Sequence, residues 1–166
     1  TLIVYESAWG NTKAVADAVA AGFSSDDPPQ VVGVDAAPPL QGLEVDLLVI
    51  GAPTHAFGMS RVGTREDAHL RGGEMLPMGM RDWIGAAENS SLAVAAFDTH
   101  IRHPNMPGAA SRSAAKKLRR LGCTLVVDPE SFYVDGYEGP LLLGELERAR
   151  SWGSELARRV APADRP

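Results

Sequence analysis

Leu2-Ile3-Val4-Tyr5-Glu6-Ser7-Ala8-Trp9-Gly10-Asn11-Thr12 runs without a break into Lys13-Ala14-Val15-Ala16-Asp17-Ala18-Val19. The first four residues are apolar strand formers with no polar alternation, the pattern of a strand buried on both faces of a parallel sheet. Val15, Ala18, Val19 and Gly22 follow an i, i+3, i+4, i+7 spacing, which predicts a helix beginning where the strand's polar loop ends. Backbone N–H groups at a helix start, with the positive end of its dipole, make an anion site, and Ser7, Asn11 and Thr12 add neutral donors. Phosphate is the natural guest. The loop is neither the Gly-x-x-x-x-Gly-Lys-Ser/Thr of nucleotide triphosphatases nor the Gly-x-Gly-x-x-Gly of dinucleotide folds. A plainer role is open as well: Thr12 caps a helix and Gly10 makes a turn.

Further strands are predicted at Val31 to Val34, Val45 to Ile50, Leu92 to Phe97 and Thr124 to Val127, alternating with helical segments. Leu76, Met80, Trp83, Ile84 and Ala87 mark one helix, which Gly79 weakens. Ala110, Ala114, Leu118 and Leu121 mark another, with Gly122 placed to end it in the left-handed conformation. Leu142, Leu146, Ala149, Gly153, Leu156 and Val160 line one face of a last helix. Pro38 and Pro39 leave room for at most a short helix between Ala36 and Leu43. Strand and helix in alternation imply right-handed crossovers, a doubly wound α/β sheet, and ligand binding at the carboxyl ends of the strands.

The 166 residues and 45% hydrophobic content suit one domain over residues 1–161, with a mobile tail at 162–166. Cys123 is the only cysteine, so no intrachain disulfide forms, and no Cys/His cluster suggests a metal. A cytoplasmic location is expected, with no basic leader and no apolar run near the roughly 20 residues of a membrane span. The net charge of -5 argues against general nucleic-acid binding. The basic run Arg112, Lys116, Lys117, Arg119 and Arg120 is expected to face water near a helix C-terminus. Met75, Met78 and Met80 read as adaptable packing, and Cys123 as a small buried hydrophobe.

Ser7-Ala8-Trp9-Gly10-Asn11-Thr12 resembles the phosphate loop of flavodoxins, typically Ser/Thr-x-Thr-Gly-Asn-Thr. Asp46 to Thr54 resembles that family's third strand and the start of its first flavin loop. Ala95-Ala96-Phe97 and the polar residues after it match the fourth strand and second flavin loop. Phe132-Tyr133-Val134-Asp135-Gly136 and a final helix look like the short-chain version of the fold. The resemblance implies a flavodoxin-like three-layer fold, five parallel strands in the order 2-1-3-4-5, and one non-covalently bound FMN. It implies that Ser7, Asn11 and Thr12 hold the phosphate through their side chains, with the backbone N–H groups of Ala8, Trp9, Gly10, Asn11 and Thr12 completing the cradle. Trp9, where the family usually has threonine, either covers the flavin or forms part of the buried wall.

Pro53, Thr54, His55, Ala56, Phe57 and Gly58 would form the first flavin loop. His55 or Phe57 would stack on the ring, and His55 is the first candidate for a hydrogen bond to the flavin edge or a substrate. The family keeps a glycine near Ala56 that lets a peptide turn over on one-electron reduction; a left-handed alanine costs about 1 kcal/mol more. Gly58 would take that role if the loop is shifted. Phe97, Asp98, Thr99 and His100 would form the second flavin loop, Asp98 accepting from the flavin N3–H and Thr99 pairing with O2 or O4. Ile101, Arg102, His103 and Pro104 continue it without the family's usual stacking tyrosine.

From Ser60 to Gly73 the chain makes a long excursion in which Thr64-Arg65-Glu66-Asp67 has capping-box spacing and Gly72-Gly73 is the stop. Arg61, Arg65 and Arg71 bring positive charge near the flavin face; Arg61 is the first candidate to stabilise a reduced flavin or bind nicotinamide phosphates. Arg65 and Arg71 are expected on a solvated helix. Candidate catalytic residues are thus His55, Arg61 and His100. The expected function is electron transfer through FMN to a redox partner protein, or reduction of a small acceptor such as a quinone by NAD(P)H, in an oligomeric state that stays open. A flavin-free binding module is a lesser alternative. A response-regulator-like domain would need an aspartate at the end of the third strand, where Gly51-Ala52-Pro53 stands.

Overall fold

The computed structural model describes residues 1–24, 26–102 and 107–160. In chain order the elements are β1 (Leu2–Tyr5), α1 (Asn11–Ala20), β2 (Gln30–Gly33), β3 (Leu48–His55), β4 (Gly58–Met59), α2 (Val62–Leu70), α3 (Met80–Gly85), β5 (Ala93–Ile101), α4 (Ala110–Leu121), β6 (Thr124–Leu125), β7 (Glu130–Val134) and α5 (Glu145–Val160). The sheet order is β2-β1-β3-β5-β6; β7 also pairs in parallel with β5, and β4 pairs antiparallel with β3. Counting β6 and β7 as one interrupted column, this is the expected five-column parallel arrangement.

Two apolar layers sit on the sheet because neighbouring residues of each central strand face opposite ways. Ile3, Val49, Ala95 and Phe97 pack with Val15 and Val19 of α1 and Ala149, Trp152 and Leu156 of α5. Val4, Leu48, Ile50, Val94 and Ala96 pack with Met80, Trp83 and Ile84 of α3 and Ala114 and Leu118 of α4. Phe97, Phe132 and Trp152 form a mutual edge-to-face set with centroids 5.9 to 6.2 Å apart. α1 and α5 touch closely, and the Ser154 hydroxyl donates to the Gly22 carbonyl at 2.9 Å.

Several boundaries differ from the sequence expectation. β3 begins at Leu48 and runs to His55, because its end folds into a hairpin: Thr54 pairs with Met59 and His55 with Gly58. β5 continues to Ile101, so Asp98, Thr99 and His100 are strand and not loop; their register with Ser131, Phe132 and Tyr133 of β7 holds them extended. The fifth column is broken at 126–129, where Pro129 lies between its two parts. α3 starts at Met80, after Pro77, and not at Leu76. α2 starts at Val62, so Thr64 is its third residue rather than its cap, and its hydroxyl accepts from the Arg61 N–H at 2.9 Å. α5 begins at Glu145; Leu142 lies ahead of it and Leu146 is exposed, while Trp152 joins the buried face. Gly122 ends α4 at φ 106°, as expected. The segment 36–43 holds no helix. His103, Pro104 and the tail at 162–166 lie outside the described residues.

Candidate functional site

At the carboxyl edge of the sheet lies a cavity of about 370 Å³. Of the residues expected to hold the cofactor, Ser7, Ala8, Trp9, Asn11, Thr12, Pro53, Thr54, His55, Ala56, Phe57, Thr99 and His100 all line it. Six segments therefore meet there: the β1–α1 loop, the β3–β4 hairpin, α2 with Arg71 at its end, the end of β5, residues 107–108 ahead of α4, and the end of β7 with the loop after it.

The β1–α1 loop is shaped for an anion. Gly10 takes φ 85° at the N-cap of α1, a conformation glycine adopts without the clash of a Cβ. No acidic residue stands in the helix's first turn to oppose a negative guest. Among the described residues, the amides from Ala8 to Lys13 have no acceptor. The Ser7 hydroxyl is buried there and also lacks a partner. A buried hydroxyl without a partner costs free energy that an accepting ligand atom would recover. Thr12 and Asn11 are engaged with the fold. The Thr12 hydroxyl meets that of Thr99 at 2.8 Å, fixing the loop to β5, and the Asn11 amide donates to the Glu138 carbonyl at 2.9 Å. The Glu74 N–H donates to the Ala8 carbonyl at 2.8 Å, closing the excursion onto the loop.

The hairpin wall carries strain. Ala56 and Phe57, its two turn residues, have φ of 44° and 74°, both left-handed as in the two-residue turn that favours glycine and asparagine. Gly58, offered by sequence as an alternative left-handed residue, is not one and is buried in β4. Each non-glycine left-handed residue costs about 1–2 kcal/mol. Ala56→Gly is therefore expected to raise the unfolding free energy by about 0.5–1 kcal/mol after the added chain entropy is subtracted, measured by urea denaturation; an unchanged or lower midpoint would count against this turn geometry.

Burial lowers the pKa of His55 from its ordinary value; the charge of Arg65 adds to this, and a bond with the Thr64 backbone opposes it. His55 thus presents a neutral imidazole to the cavity at pH 7.

Four expected residues lie off the wall. Gly58 faces Ser113 and Arg81. Phe97 belongs to the core with Phe132 and Trp152. Asp98 is wholly buried; its Oδ2 accepts three hydrogen bonds, from Thr54 Oγ1, Ser111 N and Ser111 Oγ, and its Oδ1 lies 3.0 Å from His100 Nδ1. Gly10 is not a lining residue, although its conformation shapes the cradle.

The excursion's arginines are sorted by the fold. Arg61 precedes α2 and is exposed, away from the cavity wall. Arg65, expected to be solvated, is buried: it pairs with Asp82 at 2.9 Å and donates to Ser60 Oγ at 3.2 Å. Arg71 lines the cavity, its guanidinium 5.1 Å from the Tyr137 ring centroid. Tyr137, 72% exposed, was not anticipated; it belongs to the β7–α5 loop, and no spacing in the sequence ties that loop to α2. The aromatic surfaces of Trp9, Phe57 and Tyr137 and the vacant donors of the β1–α1 loop fit a flat heteroaromatic ring carrying a phosphate monoester.

The flavodoxin family profile matches residues 3–152. Among solved structures, a flavodoxin from the domain Archaea is 21% identical, with a TM-score of 0.67 over 97% of this chain and 98% of that one. Oxidised flavodoxin 1 from Bacillus cereus is 19% identical, with a TM-score of 0.67 over 95% and 96%. A WrbA-like flavodoxin from Agrobacterium tumefaciens is 20% identical, with a TM-score of 0.59 over 96% and 95%. No curated protein matches the chain.

Proposed function

The chain belongs to the flavodoxin family, whose cofactor is non-covalently held FMN, and from that premise we propose that the cavity at the sheet's carboxyl edge seats FMN and serves electron transfer. Bound there, FMN supplies reversible storage of one or two electrons. The chain's own part is to bind and orient it. The observation that carries this reading is the Ser7 hydroxyl, buried without a partner beside unpaired amides at the head of α1. In this reading Ser7 and those amides take the phosphate, while Asn11 and Thr12 hold the loop open through Glu138 and Thr99. Trp9, Phe57 and Tyr137 supply the apolar faces for the ring, and neutral His55 supplies a hydrogen bond at its edge. Arg71, rather than Arg61, is the cation placed to meet negative charge on the reduced ring or on an incoming donor.

Titration of the cofactor-free protein with FMN, followed by fluorescence quenching, tests the proposal. Saturable one-to-one binding is expected, and Ser7→Ala should weaken it about tenfold, the equivalent of one hydrogen bond to a charged group. Absence of binding to the wild-type protein would overturn the reading. Binding equally tight in Ser7→Ala would remove the phosphate assignment for Ser7.

A further inference from the structure

We propose that Asp98 and His100 form an acid–base dyad on the cavity wall, in which His100 Nε2 gives a proton to the oxygen of a carbonyl-type electron acceptor, such as a quinone. The acceptor class rests on the flavin reading above; the dyad itself does not.

The hydrogen-bond directions fix the pair. Ser111 donates to Asp98 Oδ2 through both its N–H and its hydroxyl, each at 3.1 Å. The Thr54 hydroxyl accepts from the Ala110 N–H at 2.9 Å, which leaves its own proton for Asp98 Oδ2, also at 3.1 Å. Oδ1 is then left to His100, whose Nδ1 lies 3.0 Å away. Three donors on Oδ2 favour the carboxylate form of Asp98, and a carboxylate can only accept at Oδ1, so the Nδ1 of His100 carries hydrogen and its Nε2 is the nitrogen available for exchange. Among the described residues Nε2 has no partner. Asp98 is fully buried, whereas His100 lines the cavity with a side chain 22% exposed. One member is thus fixed and dry, and the other can reach a guest.

The neighbourhood keeps the ring in place. Tyr133 packs edge-on against the imidazole, with centroids 5.2 Å apart and planes at 88°. The charged groups packed about Tyr133 are Arg102 and Arg148, 5.6 and 5.8 Å from its ring centroid, and Glu145, which accepts from the Tyr133 N–H at 2.8 Å. No role as a structural staple requires His100: Thr54 and Ser111 already join Asp98 to β3 and α4.

Reduction of a quinone to a hydroquinone adds a hydride and a proton. FMN bound in the cavity and reduced by an external electron donor would supply the hydride. The proton leaves imidazolium Nε2 for the acceptor oxygen, the ring becomes the neutral Nδ1–H form, and water restores the proton. An acceptor that gains an electron alone, such as ferricyanide, makes no use of this step.

Two measurements test the dyad. Nitrogen-15 NMR of the cofactor-free protein at pH 8 should place the hydrogen of neutral His100 on Nδ1, and Asp98→Asn should shift it toward Nε2. A predominant Nε2–H form in the wild type, or an identical spectrum in Asp98→Asn, would overturn the pairing. With FMN bound, His100→Gln should lower the ratio of quinone to ferricyanide turnover at least tenfold; an unchanged ratio would overturn the proton-transfer role. If FMN does not bind at all, the flavin reading fails while the NMR result still decides the pairing. Should Asp98→Asn not fold, Ser111→Ala removes one of the four donors and should broaden the Nδ1–H resonance through faster exchange; an unaltered resonance would count against a network-fixed tautomer.

Discussion

Arg65→Met is expected to lower the unfolding free energy by about 1–3 kcal/mol, the usual cost of leaving buried hydrogen-bonding groups without their partner. The direct partner left behind is Asp82, which is half-exposed and can be met by water; Glu6, directly after β1 and fully buried, loses a nearby positive charge. Its Oε2 accepts from the Met80 N–H at 2.7 Å, and Oε1 has no partner. Burial raises its pKa above the ordinary 4.5, while Ser60, the Met80 N–H and the charge of Arg65 pull it partly back. In the folded protein Glu6 therefore holds its proton more readily than in the unfolded chain. The associated stability is complete below about pH 4.5 and is lost as pH rises through the folded value. Removal of Arg65 raises that folded value further and steepens the loss. Glu6→Gln, which keeps the shape without the charge, should flatten this contribution and recover part of the stability in the Arg65→Met background. Urea unfolding between pH 4.5 and 8 measures both effects. Identical pH profiles for the wild type and Glu6→Gln would refute the buried-charge account. Because α2 contributes Thr64, Asp67 and Ala68 to the cavity, and its C-cap Arg71, Arg65→Met should weaken FMN binding as well.

Gly153→Ala should destabilise the protein by about 3 kcal/mol, at the upper end of ordinary overpacking. A Cβ at this position would overlap the Val19 carbonyl, a backbone group that has no rotamer with which to yield. α5 must then move away from α1, and α1 carries Asn11 and Thr12 at its head. FMN affinity should consequently fall at least tenfold although Gly153 is remote from the cavity. Gly85→Ala provides the contrast, since a Cβ there meets nothing within 4 Å; its stability should rise by about 0.5–1 kcal/mol with FMN binding unchanged. Equal behaviour of the two alanine variants in urea would sink the claim that α1 and α5 are in limiting contact.

Much of the proposed site was legible because the loop assigned to the phosphate is local. Ser7 to Thr12 are consecutive and sit between a strand and a helix whose periods are plain. Their placement follows from where that strand stops. The flavin walls were less legible. Ala56-Phe57 carries none of the glycine or asparagine that marks a two-residue hairpin turn, so sequence reading left it an open loop. Asp98 and His100 look like loop residues because they are polar, yet pairing with β7 keeps them in the sheet and turns Asp98 inward. Arg65, inside α2, and Arg71, at its C-cap, have opposite fates, buried and at the cavity, because α3 brings Asp82 to the first and the β7–α5 loop brings Tyr137 to the second.

The sequence by itself determined the parallel α/β sheet, the strand order implied by family resemblance, and the anion cradle at the head of the first helix. These depend on apolar period, glycine placement and helix-end amides, all readable over a few neighbouring residues. Tertiary structure alone decided which carboxylates lost water, which arginine met one, and which aromatic closed the cavity. Those outcomes are set by groups dozens of residues apart, and desolvation and pairing have no one-dimensional signature.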